Sequence, residues 1–131
     1  MSLDKQEYKK GETIAAEFKL KNTGKQQVYI NKRFFIPGEI SLSVIAPSGD
    51  SLPCKVSYEP GLPKTDYFAL LLPGEEIAAE RKISINYYFD FNEPGVYKIA
   101  ASYQNKYGSE LGIDAFKDKV ASKPVTIKIM Q

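Results

Sequence analysis

The chain has 131 residues, with 18 basic and 16 acidic side chains and a net charge of +2, so its length suits a single domain. Hydrophobic residues make up 43% and charged residues 26%, values typical of a soluble globular domain, which excludes the disordered, collagen-like and coiled-coil classes. The balanced charge, without a block of one sign, argues against nucleic-acid binding and against a polybasic membrane tether.

Two absences narrow the chemistry that the chain can perform. The sequence contains no histidine, and Cys54 is its only cysteine. It therefore lacks the commonest general base and the commonest zinc ligand, and Ser-His-Asp or Cys-His catalysis is impossible. No nucleophile is combined with an activating base, so we expect no enzymatic activity, no metal and no cofactor. No apolar stretch reaches the roughly 20 residues of a membrane-spanning helix, so no direct membrane insertion is expected.

Turn residues recur at short intervals, and apolar residues alternate with polar ones between them. The clearest strand is Thr13 to Asn22, where apolar side chains at every second position share one side and charged side chains share the other. The same pattern predicts strands at Val28 to Ile30, Ile40 to Val44, Leu52 to Tyr58, Ile83 to Phe89, Tyr97 to Tyr103 and Val125 to Ile129. Seven or eight strands separated by tight turns predict antiparallel pairing and an all-β fold that closes as a two-sheet sandwich.

Two segments leave alternatives open. The residues from Pro73 to Ser84 include several good helix formers, so a helix competes there with a strand. We favour the strand, because the segment continues without a glycine or proline into the alternating run Ile83 to Phe89. Cys54 shares its parity with Leu52 and Val56, which predicts a small buried side chain rather than an exposed reactive thiol.

The late strand carries a pattern typical of an immunoglobulin-like sandwich. A turn at Pro94-Gly95 is followed by Tyr97 near the start of the strand, two residues before the inward-facing Ile99. This arrangement resembles a tyrosine corner, in which the ring lies in the core and the hydroxyl satisfies a main-chain group at a turn. Residues 1–131 are therefore predicted to form one antiparallel immunoglobulin-like β-sandwich of seven to eight strands, monomeric as a domain.

The order of turn motifs across most of the chain is similar to that of a known accessory domain. The motifs are Asn22-Thr23-Gly24, Ala46-Pro47-Ser48-Gly49, Val56-Ser57-Tyr58-Glu59-Pro60, Leu72-Pro73-Gly74-Glu75, Tyr88-Phe89-Asp90-Phe91 and Pro94-Gly95-Val96-Tyr97. They resemble the β-sandwich domain that precedes the catalytic domain in lysine-specific metalloendopeptidases of the deuterolysin type. A looser likeness extends to the intracellular proteinase inhibitor family of bacilli. The sequence has no metal-binding helix of the peptidase kind, so the resemblance implies an accessory role.

Two loops are the strongest candidates for binding a protein partner or a neighbouring domain. One runs from Glu59 to Asp66 and includes Pro60, Leu62 and Lys64, and the other is the long irregular stretch from Gln104 to Ser122, which includes Tyr107 and Phe116. Loops longer than about 12 residues are often functional. Exposed aromatic side chains bury a large area at a small entropic cost.

The favoured function is a non-catalytic accessory, spacer or interaction module of an exported or cell-surface protein. The abrupt polar start at Met1-Ser2-Leu3 suggests a chain trimmed from a longer protein. The main alternative is a proteinase inhibitor that offers its Pro-containing loop to an active-site cleft, since proline limits the freedom of a loop before binding. Carbohydrate binding through exposed aromatic side chains is a third class.

Overall fold

The computed structural model describes residues 1–57 and 61–131, which form short strands and 3₁₀ turns. The twelve strands of this part are β1 (Ser2–Leu3), β2 (Glu7–Lys9), β3 (Ala15–Glu17), β4 (Lys19–Lys21), β5 (Val28–Asn31), β6 (Ile40–Ile45), β7 (Phe68–Leu71), β8 (Glu76–Ala78), β9 (Ile83–Ser84), β10 (Gly95–Tyr103), β11 (Val120–Ala121) and β12 (Val125–Met130). The 3₁₀ turns are Thr65–Tyr67, Ile85–Tyr87 and Ser109–Leu111. Within the described ranges, no helix is long and apolar enough to cross a membrane.

The prediction of an all-β fold with antiparallel sheets is confirmed. In the largest sheet β10 lies between β6 and β12, β11 pairs with the end of β10, and β2 adds to β12 in parallel. The other strands pair antiparallel as β1-β3-β9, β4-β8 and β5-β7. Ala16 and Phe18 from the β3 and β4 segment share one hydrophobic cluster with Ile99 of β10 and Ile127 of β12. Strands of both groups therefore contribute side chains to one hydrophobic core.

In Thr13 to Asn22, the clearest predicted strand, buried residues alternate with more exposed ones as predicted. Ile14, Ala16 and Phe18 are buried, and the residues between them are not. The segment is nevertheless divided into β3 and β4, which pair with β9 and β8 respectively. The favoured strand within residues 73–84 is present as β8, and the competing helix is wrong.

The prediction for Tyr97 is confirmed. Its ring is 1% exposed and packs against Phe91, with 5.0 Å between the ring centroids. Its hydroxyl donates to the carbonyl oxygen of Glu93 at 2.6 Å and accepts a hydrogen bond from the Glu93 N–H at 3.0 Å. Ile99 is fully buried. The hydroxyl thus satisfies both main-chain groups of one residue in the turn before β10.

The predicted strand from Ile83 to Phe89 is wrong beyond its first two residues, because the chain enters a 3₁₀ turn at Ile85. The Asn86 side chain accounts for the change. Its Oδ1 accepts a hydrogen bond from the Ile14 N–H at 2.6 Å, and its Nδ2 donates to the Glu12 carbonyl at 3.2 Å. The Asn86 side chain therefore forms hydrogen bonds that a neighbouring strand would otherwise form with the main chain. Such side-chain bonds compete with strand pairing and favour a turn.

The predicted strand from Leu52 to Tyr58 is also wrong within residues 52–57, whereas Tyr58 lies outside the described residues. Pro53 has no N–H to donate to a ladder, which disfavours a paired strand there. The prediction of a buried Cys54 is wrong as well: the residue is exposed, and its Sγ lies 3.4 Å from the carbonyl oxygen of Val56 as a weak donor.

Four strands have no counterpart in the sequence-based prediction. The division of Thr13 to Asn22 into β3 and β4 offsets the missing strand at residues 52–57, so these four strands account for twelve in place of eight. Three of them, β1, β2 and β11, contain two or three residues each, too few for a period-two pattern to be recognised. The fourth, β7, is a run of four apolar residues without alternation. It pairs with β5 from Val28↔Leu71 to Asn31↔Phe68.

Tyr97→Phe keeps the buried ring but removes the hydroxyl from the main-chain groups of Glu93. We expect a loss of about 1–2 kcal/mol in the free energy of unfolding from the broken buried hydrogen bonds, with an unchanged denaturant m-value. Tyr87→Phe is the matched control, because Tyr87 is 66% exposed and the change should cost less than about 0.5 kcal/mol. Urea unfolding followed by circular dichroism measures both variants, and equal losses would contradict the role assigned to Tyr97.

Candidate functional site

Three loops meet where β10 ends and β6 begins, and we call this surface the loop end. It consists of residues 32–39, 61–67 and 104–115. The Gln104 N–H donates to the Glu39 carbonyl at 2.9 Å, which joins the third loop to the first. The Lys32 N–H donates to the Tyr67 carbonyl at 2.8 Å, which joins the first loop to the second.

A buried ion pair underlies the loop end. The side chains of Arg33 and Glu39 are each 3% exposed. Arg33 Nε donates to Glu39 Oε1 at 3.0 Å and Nη2 donates to Oε2 at 2.7 Å, so the two planar groups form a bidentate pair. These hydrogen bonds raise the pKa of the Arg33 guanidinium above its ordinary value. The Phe35 N–H also donates to Glu39 Oε1, at 3.2 Å.

The Arg33 guanidinium also contacts the second and third loops. Arg33 Nη1 donates to the carbonyl oxygen of Gly61 at 2.9 Å. The Arg33 Cζ atom lies 5.7 Å from the ring centroid of Tyr107 and 5.1 Å from that of Phe35, within the range of cation–π attraction. One charged group therefore contacts all three loops of the loop end.

A network of hydrogen bonds between buried amide and hydroxyl groups connects to Arg33. Tyr103 Oη donates to the carbonyl oxygen of Asn31 at 2.8 Å and accepts from its N–H at 3.0 Å. The Asn31 side chain accepts from the Arg33 N–H at 3.0 Å and donates to Asn105 Oδ1 at 3.3 Å. Asn105 in turn binds the N–H and carbonyl of Tyr107. In the part of the chain that the structure describes, every buried side-chain nitrogen and oxygen has a partner.

The structure brings only some of the predicted partner-binding residues together. Leu62 is 53% exposed, Lys64 is exposed and lines a cavity with Arg33, and Tyr107 lies against the guanidinium. Phe116 instead lines a different cavity, beside β4. Pro60 lies outside the described residues.

The residues that organise the loop end were missed by sequence reasoning. Asn31 ends β5 and Asn105 follows the end of β10, where polar residues are ordinary, so no local pattern marks them. Tyr103 falls within the predicted strand Tyr97 to Tyr103, but its hydrogen bonds to Asn31 were not predicted. Arg33 and Glu39 flank an apolar run that ends in a Pro-Gly turn, and opposite charges on either side of a turn are a weak signal of pairing. That Gly61 and Tyr107 also contact Arg33 depends on residues far apart in the sequence.

The loop end combines aromatic and basic side chains around a cavity. A cavity of about 620 Å³ opens between its first two loops, where Phe35 and Tyr67 lie beside Arg33 and Lys64. Among residues 1–57 and 61–131, no group of three or more cysteine or acidic side chains is placed to hold a metal ion. Comparisons with protein families, curated proteins and solved structures found no match. The assignment of a function therefore depends on the geometry of the loop end.

Arg33→Met leaves the Glu39 carboxylate buried without its counter-charge. We expect the free energy of unfolding to fall by about 3–5 kcal/mol, and the double change Arg33→Met with Glu39→Leu to recover most of the loss, because both charges are then removed. Amide hydrogen exchange should nevertheless become faster at residues 61–67 in the double variant, while β10 and β12 stay protected. If exchange at residues 61–67 did not change, the guanidinium would not be what orders this loop.

Stability should decrease at alkaline pH. Burial raises the pKa of Tyr103, and burial together with the hydrogen bond to Asp4 raises the pKa of Tyr8 to about 12. The native state therefore binds these protons more tightly than the unfolded state, and the stabilisation is complete below the ordinary tyrosine pKa of about 10. Urea unfolding at a series of pH values should show a free energy of unfolding that falls as the pH rises from about 10 towards 12. Tyr8→Phe should show a shallower fall, and a flat wild-type profile would contradict the shifts.

Proposed function

We propose that the chain is an immunoglobulin-like β-sandwich that serves as a non-catalytic accessory or interaction module of an exported or cell-surface protein. The contact of the Arg33 guanidinium with all three loops of the loop end carries this proposal. Loops that are ordered before a partner arrives lose less entropy on binding. The hydrogen bonds between Tyr97 and Glu93 support the immunoglobulin-like architecture.

The side chains at the loop end suit a protein partner or a neighbouring domain. Leu62 is 53% exposed, and Phe35 and Tyr67 are each 37% exposed. Aromatic and arginine side chains are enriched at protein interfaces, whereas lysine is depleted there. Arg33 and the exposed Lys64 line the same cavity as Phe35 and Tyr67. The loop end thus offers apolar anchors on a rigid support.

The direction of the chain supports a spacer role as well. Met1 lines a cavity together with Tyr103, which is the last residue of β10. Ile129 pairs with Gly95, at the first residue of β10. A nine-residue strand spans roughly 27 Å at the usual rise of about 3.3 Å per residue. Domains attached to the two ends of this chain would be held apart by about that distance.

Site-specific photo-crosslinking in the full-length gene product tests the interaction role. A photoreactive phenylalanine analogue replacing Leu62 should form an adduct with a protein or a neighbouring domain, and the adduct should be recovered in the exported fraction. The adduct should be lost when Arg33→Met and Glu39→Leu are added. An analogue replacing Val96, which is 56% exposed at the other end of β10, is the matched control. Adducts at Val96 but not at Leu62, or a protein retained in the cytoplasm, would overturn the proposal.

Proteinase inhibition is the second candidate, and the bond between Arg33 Nη1 and the Gly61 carbonyl favours it. This bond holds the main chain directly before the exposed residues Leu62 and Lys64, and a loop held in place before binding suits an active-site cleft. A panel of endopeptidases separates the two candidates. We expect no inhibition at micromolar protein. Nanomolar inhibition that is lost on Lys64→Ala and retained on Lys32→Ala would replace the interaction module by an inhibitor.

A further inference from the structure

A cavity of about 340 Å³ adjoins the loop end, and we call it the side cavity. It shares Lys32, Arg33 and Phe35 with the cavity of about 620 Å³ described above. The segments outside the loop end that line it contribute Val56, Ala79, Arg81, Ile83, Tyr87 and Tyr88. Leu62 and the other described residues of the second loop do not line it. The side cavity is therefore distinct from the surface proposed to meet a protein partner.

The walls of the side cavity are held in place by hydrogen bonds to the rest of the fold. The Ala79 N–H donates to the Phe18 carbonyl at 2.9 Å, and the Lys55 N–H donates to the Tyr88 carbonyl at 2.7 Å. The ion pair of Arg33 holds the first loop. Each wall is thus fixed before a ligand arrives, as is usual for small-molecule sites, and binding loses correspondingly less entropy.

Most of the lining of the side cavity is apolar. Phe34 and Ile36 are buried, Ile83 is half-buried, and Tyr87 is 66% exposed. The rings of Tyr87 and Tyr88 meet edge to face, with 5.1 Å between their centroids, an arrangement that aromatic pairs prefer. The volume lies at the lower end of the usual range for ligand sites. These properties favour a small ligand with an apolar or aromatic body.

The charged side chains that line the side cavity are all basic. Among the described residues no acidic side chain lines it, and Arg81 and Lys32 form no ion pair there, whereas Arg33 is already paired. Lys32 also lines the cavity of about 620 Å³, where Asp66 and Glu80 lie. Neither of these acids lines the side cavity. Arg81 is exposed and is therefore the cation best placed to bind an anion in it.

The Tyr88 hydroxyl is a second group that can bind an anion. The Tyr88 side chain is half-buried, and its hydroxyl has no hydrogen-bond partner among the described residues. Every buried side-chain oxygen in that part of the chain has a partner, so this hydroxyl is accessible to solvent. Burial raises the pKa of Tyr88, with smaller contributions from Tyr87 and Cys54. The hydroxyl therefore stays protonated at neutral pH and can donate a hydrogen bond.

We propose that the side cavity binds a small carboxylic acid whose body is a single aromatic ring or a branched apolar group. The body lies against Tyr88 and Ile83, and the carboxylate accepts hydrogen bonds from the Arg81 guanidinium and the Tyr88 hydroxyl. The C-terminal residue of a protein carries the same two groups. A cavity of about 340 Å³ favours the free acid, because no main chain then has to be placed at its mouth.

Titration with 3-phenylpropionate, followed by amide chemical shifts, tests the proposal. We expect the largest shifts at residues 79–83, 87 and 88, and a dissociation constant of about 1 mM for so small a ligand. The matched control is 3-phenylpropionamide, which has the same shape but no charge and should bind about tenfold more weakly. Equal affinity for the acid and the amide, no shifts with the acid at several times that concentration, or shifts confined to residues 61–67 would overturn the proposal.

Substitutions supply a second test. Arg81→Gln should weaken binding of 3-phenylpropionate about tenfold, and Tyr88→Phe should weaken it while keeping the ring. Lys82→Gln is the matched control, because it removes the same charge from an exposed neighbour that does not line the cavity. Thermal unfolding checks that the variants fold. Equal losses in the Arg81 and Lys82 variants would contradict a site at Arg81.

The source of the carboxylate is tested with a peptide that ends in phenylalanine. Weaker binding of this peptide than of 3-phenylpropionate is expected, and tighter binding would assign the side cavity to a protein C-terminus instead. Failure of these tests leaves the crosslinking result at Leu62 unaffected, because Leu62 does not line the side cavity.

Discussion

The ion pair between Arg33 and Glu39 is the interaction on which the loop end depends. Taking two charges out of water is costly, and the cost is offset only when the pair has good geometry and its remaining donors and acceptors are bonded. Here the bidentate contact uses two guanidinium donors and the Gly61 carbonyl accepts from a third. The requirement to satisfy a buried arginine therefore brings a segment distant in the sequence against residues 32–39. An apolar pair in the same place would fill the space without specifying where the second loop lies.

Two tyrosines of β10 bind neighbouring segments through the same pair of hydrogen bonds, one to the turn before β10 and one to the last residue of β5. Tyr97 at one end donates to and accepts from the main chain of Glu93, and Tyr103 near the other end does so with Asn31. Each hydroxyl satisfies a main-chain N–H and C=O that are not paired in a ladder, while its ring contributes to the core. β10 is the longest strand and lies between β6 and β12. The central strand of the fold thus also orders the turn before it and the polar network beneath the loop end.

The proposed binding surface at the loop end depends on order that exists before a partner arrives. Buried polar groups hold the loops in place, so exposed apolar side chains would meet a partner with little further loss of entropy. The side chains that provide this order are themselves hydrogen-bonded within the domain.

Alternation of apolar and polar residues determined the fold class, the face of each long strand and the burial of Tyr97 and Ile99, because period two is a local property of an extended chain. The alternation predicted strands wrongly where a side chain or a proline competes with strand pairing. The hydrogen bonds of Asn86 favour a turn at Ile85. In the segment that contains Pro53 no strand forms, and Cys54 is exposed. The sequence also selected Leu62, Lys64 and Tyr107, since loop composition and length are visible locally. Only the tertiary structure decided that Arg33 joins their loops and that Phe116 belongs to another cavity. Those contacts link residues whose proximity is set by sheet packing and by the need to satisfy buried charge, neither of which a local pattern records.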